Sequence, residues 1–489
     1  MSRRAHGRPP PNAHGVPLHQ TSVRYTNLNI FGLHRRDVAL TLSTLGVVAG
    51  FLASRSGSGI WVQVLEPRHE RLSMPFPLRF SVRIAFAIMK LFPGGGLQRD
   101  CIEIARHCRQ RGHDVVIFTS SKDDDDFGDD LAVVVLPIRQ RTNHRMLEEF
   151  AASFRWAAAL QQFDLLVGFD KLTHLDVLYC ADPSIYFRMK KERFRFLIPR
   201  YRTYRALEQA TFEHGRRTRV LALSQKQLDE YRAVWHTPPD RLSLLPPTVS
   251  SARRRPECRR NGVRDRLRAE FGFTPLDWVW ITIGVQPHTK GFDRTLRALR
   301  EFSNAKLLVV GLLETSTRAA AELAAGAKRL GLARRVLFLG HREDVPELMA
   351  AADLLVHPAR HDTTGTVILE AVVNGLPVVT TSVCGYAEHV VTAEAGIVVD
   401  EPFRSRAFAA ALAAAEDAAR RGRWSASAEQ YGAQSFLYDG RTRAAEMILS
   451  AAAERLRRRP TAPVGTRPTT AEVIYLPESG RARGASRRS

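Results

Sequence analysis

The sequence predicts an α/β protein, with two Rossmann-like, doubly wound domains facing a cleft and disordered basic extensions at both ends. Three observations predict it. Short β-branched runs alternate with helical patterns from Val82 onward, a Pro- and Arg-rich stretch at 245–262 interrupts them, and the alternation then restarts. Strands apolar on both faces and separated by helices belong to parallel sheets covered on both sides. Two such units in tandem place ligands at the carboxyl ends of the strands.

The extensions follow from charge. Of the formal net charge of +22, residues 1–73 contribute +6 and residues 455–489 contribute +7. Residues 1–73 therefore read as a basic extension outside the fold, with Met74 expected as the working start. The apolar run Val38 to Ala53 within it is shorter than the ~20 residues of a membrane span. Residues 457–489, mostly Arg, Pro, Thr and Gly without period, read as a disordered tail. Between these ends, 44% hydrophobic and 25% charged residues exclude a disordered chain.

In the first domain, 74–250, strands are predicted at 82–89, 114–119, 131–138, 163–169, 176–182 and 219–224. Leu97, Cys101, Ile104, Ala105 and Cys108 recur at helical spacing, so a helix is predicted over 97–111. The stretch 245–262 reads as a linker. In the second domain, 262–435, strands are predicted at 277–284, 305–311, 335–340, 353–357, 377–381 and 395–399, with a final helix over 436–456. The five cysteines show no paired spacing and read as reduced, buried thiols. The run Asp123 to Asp126 reads as a solvated turn, not a metal site.

The most informative segment is HPARHDTTGTVILEAVVNGLPVV, 357–379. A strand ends at His357, and Asp362-Thr363-Thr364-Gly365 opens a helix that Gly375 stops. Asp362 and Glu370 are eight residues apart, ~12 Å if the whole stretch is helical. That matches the separation of the two sugars of a nucleotide sugar across its diphosphate. Glu370 can accept hydrogen bonds from a ribose diol and Asp362 can hold hexose hydroxyls, while the first amides near Gly365, Thr366 and Val367 face the diphosphate. Because the neighbours of Glu370 are all apolar, its carboxylate is buried and needs a partner. Lys290, at the helix start in IGVQPHTKGFDR, supplies a cation for a phosphate that gains charge as it leaves. In FPGGGLQRD, 92–100, no GxGxxG is present, and glycines 94–96 are predicted to allow close backbone approach to the donor.

From about Val82 to about Ile448 the chain resembles the lipopolysaccharide core α-glucosyltransferases of Gram-negative bacteria, retaining enzymes of glycosyltransferase family 4 with the GT-B fold. The stretches that carry the resemblance are FPGGGLQRD, RGHDVVIFT, TNH (142–144), GFDK, LDV, RYRTYRALEQATFE, LLPP, DVPELMAAADLLVHPA, GTVILEAVVNGLPVVTT and VCGYAEH. It implies transfer of a hexose, most simply glucose, from a UDP-sugar to an inner-core sugar of a lipid-anchored acceptor, without a metal or other cofactor. It assigns Lys290, Asp362 and Asp100 to catalysis, and Glu370, Gly365, Thr366, Val367, Arg342, Gly95 and Gly96 to the donor. Lys171 and Asp176 fall on the acceptor side. The first acid of the eight-residue pair is usually Glu, so Asp362 leaves the hexose open. Thr289 stands where many relatives carry Arg, so the diphosphate leans on Lys290 and the helix start, with His288 or Arg294 as further candidates.

One more stretch, 185–212, interleaves Arg188, Lys190, Lys191, Arg193, Arg195, Arg200, Arg202 and Arg205 with Tyr186, Phe187, Phe194, Phe196, Tyr201 and Tyr204. This composition suits an anionic membrane face, each surface cation contributing ~1 kcal/mol. The expected location is the cytoplasm, peripheral on the inner membrane. Nucleic-acid binding is not expected, because much of the basic excess lies in the two ends.

Overall fold

Runs such as RIAFA, DVVIFT and WVWITI are too apolar for a half-exposed strand, and each is buried on both faces. The computed structural model describes residues 28–30, 53–56, 59–62, 81–92, 95–123, 130–190, 197–313 and 317–458. The chain divides into two units, Met1–Leu78 and Arg79–Ser489. In the first, β1 (Leu28–Ile30), β2 (Ala53–Ser56) and β3 (Gly59–Val62) form an antiparallel sheet in the order β1-β3-β2.

The second unit holds two parallel sheets. The first contains β4 (Arg83–Ala87), β6 (Asp114–Thr119), β8 (Ala132–Val135), β9 (Leu165–Gly168), β10 (Val177–Cys180), β11 (Arg219–Ala222) and β12 (Leu242–Leu244). A small parallel pair, β5 (Lys90–Leu91) and β7 (Ser121–Lys122), lies beyond the ends of β4 and β6. The order is β12-β11-β10-β9-β4-β6-β8, so the winding reverses between β4 and β9. Helices α1 (Gly96–Gln110), α2 (Asn143–Leu160), α3 (Ile185–Lys190), α4 (Pro199–Phe212) and α5 (Gln225–Trp235) belong to this domain.

After α6 (Val263–Glu270), the second sheet has the order β15-β14-β13-β16-β17-β18 and reverses between β13 and β16. Its strands are β13 (Trp278–Ile283), β14 (Ala305–Val310), β15 (Val336–Gly340), β16 (Leu354–His357), β17 (Val378–Thr381) and β18 (Gly396–Val399). Helices α7 (Phe292–Leu299), α8 (Arg318–Arg329), α9 (Val345–Ala351), α10 (Thr366–Val373), α11 (Ala387–Thr392), α12 (Ser405–Ala415) and α13 (Ala418–Gly432) accompany it. The last helix, α14 (Gly440–Arg458), returns to the first domain, where Ala444, Ala445, Ile448 and Ala452 join the core beneath β4 and α1.

The stretch 245–262 is more than a linker: it carries two 3-10 turns, Ser251–Arg253 and Pro256–Arg259. Asn374, capping the end of α10, binds it from both sides, accepting from the Arg255 amide at 2.6 Å and donating to the Arg253 carbonyl at 2.8 Å. Cys101, Cys108, Cys180, Cys258 and Cys384 are all free and buried.

Candidate active site

The two switch points place two loops face to face with the strand ends. In the second domain, the β13–α7 loop brings Lys290 and the loop after β16 brings Asp362. Lys290 Nζ donates to Asp362 Oδ2 at 2.6 Å, and His357 Nε2 lies 2.9 Å from the same oxygen. Asp362 is buried. Burial pushes its carboxyl up, but the His357 hydrogen bond and the Lys290 charge outweigh this and hold it well below the usual carboxylate range. Burial likewise disfavours a charged His357, yet its hydrogen bond to Asp362 and the proximity of the Cys384 sulfur bring the imidazole up to about 9. Asp362 is thus held as an anion by the Lys290 ammonium on one side and the His357 ring on the other.

Residues 362–365 do not continue the helix. Asp362 makes an isolated β-bridge to Cys384, Gly365 turns left-handed at φ 73°, and α10 begins only at Thr366. The left-handed turn needs the glycine. Thr366 and Val367 form the first turn of α10, with Thr364 Oγ1 3.3 Å from Thr366 Oγ1.

Glu370 finds the partner that its apolar surroundings require. Its side chain is 13% exposed, and Arg253 Nε lies 3.5 Å away. Burial raises the Glu370 carboxyl, with Arg253, Arg99 and Arg441 opposing. Sequence reasoning missed Arg253 because a run of arginines beside prolines reads as solvated linker. The signal was Glu370 itself, a buried acid with no cation on its own helix.

The Lys290 loop is locked to the strand end. Arg360 clamps Asp293 with two hydrogen bonds of 2.6 and 2.9 Å and donates to the His288 carbonyl at 2.7 Å. Arg294 is not available to a diphosphate: it donates to the Pro358 and Ala359 carbonyls and its guanidinium sits 3.7 Å above the Phe403 ring. His288 has an exposed side chain. Gly291 has φ 75°, and a Cβ there would lie 1.9 Å from the Pro358 carbonyl oxygen. Gly291→Ala is therefore expected to displace Lys290 and lower kcat about tenfold or more, at a stability cost of about 1–3 kcal/mol. Steady-state kinetics beside thermal unfolding checks this.

Arg342 follows β15 and forms a two-pronged pair with Asp344 at 2.6 and 2.7 Å. Asp100 does not stand as an open catalytic acid. Tyr179 Oη donates to one of its oxygens and Arg441 Nε of α14 to the other, both at 2.7 Å, making it a buried strut in the cleft wall. Gly95 caps α1, where a Cβ would meet the Gln98 side chain, and Gly96 faces open space; Gly94 lies outside the described residues.

On the acceptor side, Lys171 is a scaffold cation: Nζ donates to Glu208 at 2.8 Å and to the Pro183 carbonyl at 2.7 Å. Asp176 sits at the wrong edge for an acceptor. It precedes β10, at the amino end of the sheet, where it accepts from the Leu166 amide and pairs with Arg455 of α14. Arg200 and Arg202 are exposed on α4; Arg193 and Arg195 lie outside the described residues.

Two opposed Rossmann-like domains with an acid pair and a lysine at the second switch point define a hexosyltransferase of the GT-B type. The family model for Glycosyltransferase Family 4 matches residues 94–253, and that for Glycosyl transferases group 1 matches 263–431. The chain is 36% identical over 373 residues to the lipopolysaccharide glucosyltransferase WaaG of Escherichia coli, covering 75% of this chain and 98% of that protein. The crystal structure of WaaG, a glycosyltransferase involved in lipopolysaccharide biosynthesis, superposes with a TM-score of 0.69 at 34% identity, over 75% of this chain and 99% of the other. The Anabaena protein HepE, solved in complex with UDP-glucose, shares the fold with a TM-score of 0.58 at 20% identity, over 77% of this chain and 99% of the other. The chain belongs to the lipopolysaccharide glucosyltransferase family.

Proposed function

We propose that this hexosyltransferase moves glucose from UDP-glucose to an inner-core sugar of lipopolysaccharide, retaining the anomeric configuration, on the cytoplasmic face of the inner membrane. The observation that carries this reading is the convergence of Lys290 on Asp362 beside the start of α10, with Glu370 farther along the same helix. The bond from the anomeric carbon to the diphosphate breaks, and the acceptor oxygen bonds to that carbon on the same face. The acceptor proton passes to the leaving phosphate oxygen. Lys290 and the first amides of α10 stabilise the charge that grows there. Glu370, held by Arg253, accepts from the ribose diol.

The reading includes no metal. His357, Asp362 and Cys384 cluster closely enough to suggest one, with ligand atoms within 4.8 Å of one another. However, the Lys290 ammonium and the His357 ring already share one of the two Asp362 oxygens. Among the described residues, no helix is long and apolar enough to cross a membrane. Peripheral docking is supported by exposed Arg200, Arg202 and Arg205 next to Leu197 and Ile198, which are 63% and 45% exposed.

The test is transfer from UDP-hexoses to truncated lipopolysaccharide in phosphatidylglycerol vesicles, with EDTA present, read as a one-hexose gain in product mass. Glucose transfer is expected, falling as salt is raised for embedded acceptor but not for soluble core oligosaccharide. A different hexose gained would change the donor assignment. No gain from any UDP-hexose would end the transferase reading.

A further inference from the structure

We infer that His357 is a positioning residue for the donor sugar: its buried ring anchors one oxygen of the Asp362 carboxylate, so that the other is presented in a fixed direction to a hydroxyl of the hexose. Both side chains that hold this carboxylate meet the same atom. Lys290 Nζ lies 2.6 Å and His357 Nε2 2.9 Å from Oδ2, while Oδ1 meets no protein donor among the described residues. A buried carboxylate with a free oxygen is short of a donor. A sugar hydroxyl supplies one without bringing a second charge that must lose its water.

Of the two anchors, the ring is the rigid one. The Lys290 ammonium ends a flexible stem, its side chain is 24% exposed, and in the proposed reaction it turns to the leaving diphosphate. His357 is fully buried as the last residue of β16. Its carbonyl accepts from Thr380 Oγ1 and from the Ala359 amide, both at 2.9 Å, so the root of the side chain is tied as closely as its tip is packed. Asp362 is held on its own backbone as well, which bridges Cys384 and accepts from the Gly385 amide at 3.2 Å. With the backbone and Oδ2 both tied, the plane of the carboxylate is set and Oδ1 has one direction left.

The ring is also poorly suited to being a mere core filler. Nε2 carries a hydrogen in either protonation state, because Asp362, held as an anion, can only accept. Nδ1 is buried without a hydrogen-bond partner among the described residues. An apolar side chain would fill the same space without leaving a nitrogen unsatisfied, as Leu354, Leu355 and Val356 do along the rest of β16. The bond that Nε2 makes to Asp362 is what sets His357 apart from them.

The assignment rests on the transferase reading, and a binding experiment separates the two. His357→Gln places an amide nitrogen near the position of Nε2, whereas His357→Asn places one near Nδ1, too short to reach Asp362. Both replacements are neutral, polar and smaller than the ring, so the difference between them reads the hydrogen bond. Calorimetric titration gives Kd on the fraction that is folded, whatever stability either variant has lost. His357→Asn is expected to bind UDP-glucose about tenfold more weakly, the loss of a hydrogen bond to a charged group, while binding UDP, which lacks the hexose, within about twofold of wild type. His357→Gln should stay within about threefold of wild type for both ligands. Equal UDP-glucose affinity in the two variants overturns the assignment, as does a matching loss of UDP affinity in His357→Asn, which marks a role in the frame alone. A wild-type protein that binds no UDP-hexose removes the transferase reading, and this role of His357 with it.

Discussion

Lys290→Ala is expected to lower kcat for hexose transfer about a hundredfold to a thousandfold, the scale of losing one preorganised group that meets developing charge. A leaving diphosphate gains charge as the glycosidic bond breaks, and this chain has Thr289 beside the lysine rather than a second cation. Of the nearby guanidiniums, Arg294 is turned to the Pro358 and Ala359 carbonyls and Arg360 is held by Asp293. Lys290 is therefore the side-chain cation on its loop that points to Asp362, and one of its three donors already does so. The fold should survive, since Asp362 keeps His357 as a partner. Turnover of the purified variant, measured beside its thermal midpoint, decides the matter. Near-normal turnover in a folded variant would remove Lys290 from the chemistry.

That lysine was readable in the sequence because its chemistry depends on a short local pattern, strand, loop and helix start. The same holds for Asp362 and Glu370, whose spacing along one segment brings them to one side of the cleft. Strand positions were equally legible: every run apolar on both faces, from Arg83–Ala87 to Gly396–Val399, became a strand. The short edge strand Leu242–Leu244 was not, because three residues carry too little periodicity. Partners distant in sequence were also hidden. Arg253 reaches Glu370 only because Asn374 folds the linker onto the end of α10. Arg441 reaches Asp100 only because the last helix crosses back to the first domain. Asp176 shows the opposite failure, a motif residue whose position at the amino end of β10 turns it away from the cleft.

Asp353→Ala is expected to cost about 3–5 kcal/mol, the penalty for stranding buried cations. Asp353 stands at the foot of β16, with its side chain 13% exposed. It binds Arg264 at 2.5 Å and Arg268 at 3.2 Å, both from α6, and accepts from the Val279 amide of β13 at 2.8 Å. The two arginines also donate to carbonyls at the end of α9, through Ala350, Ala351 and Ala352. Removing the carboxylate leaves their charges beside carbonyl dipoles alone, and Arg268 is only 8% exposed. Against a typical domain stability of about 5–15 kcal/mol this is a large fraction, and the thermal midpoint should fall by about 10 °C. Asp353→Asn, which keeps an acceptor for the Val279 amide, should lose less. Trp278 and Trp280 on the adjoining β13 report the transition by fluorescence. Because β16 runs from this foot to His357, the damage lies at the end of the strand away from Asp362. The fraction that remains folded should therefore keep its kcat, and a fall in kcat without a fall in midpoint would show that Asp353 acts on the site and not on the frame.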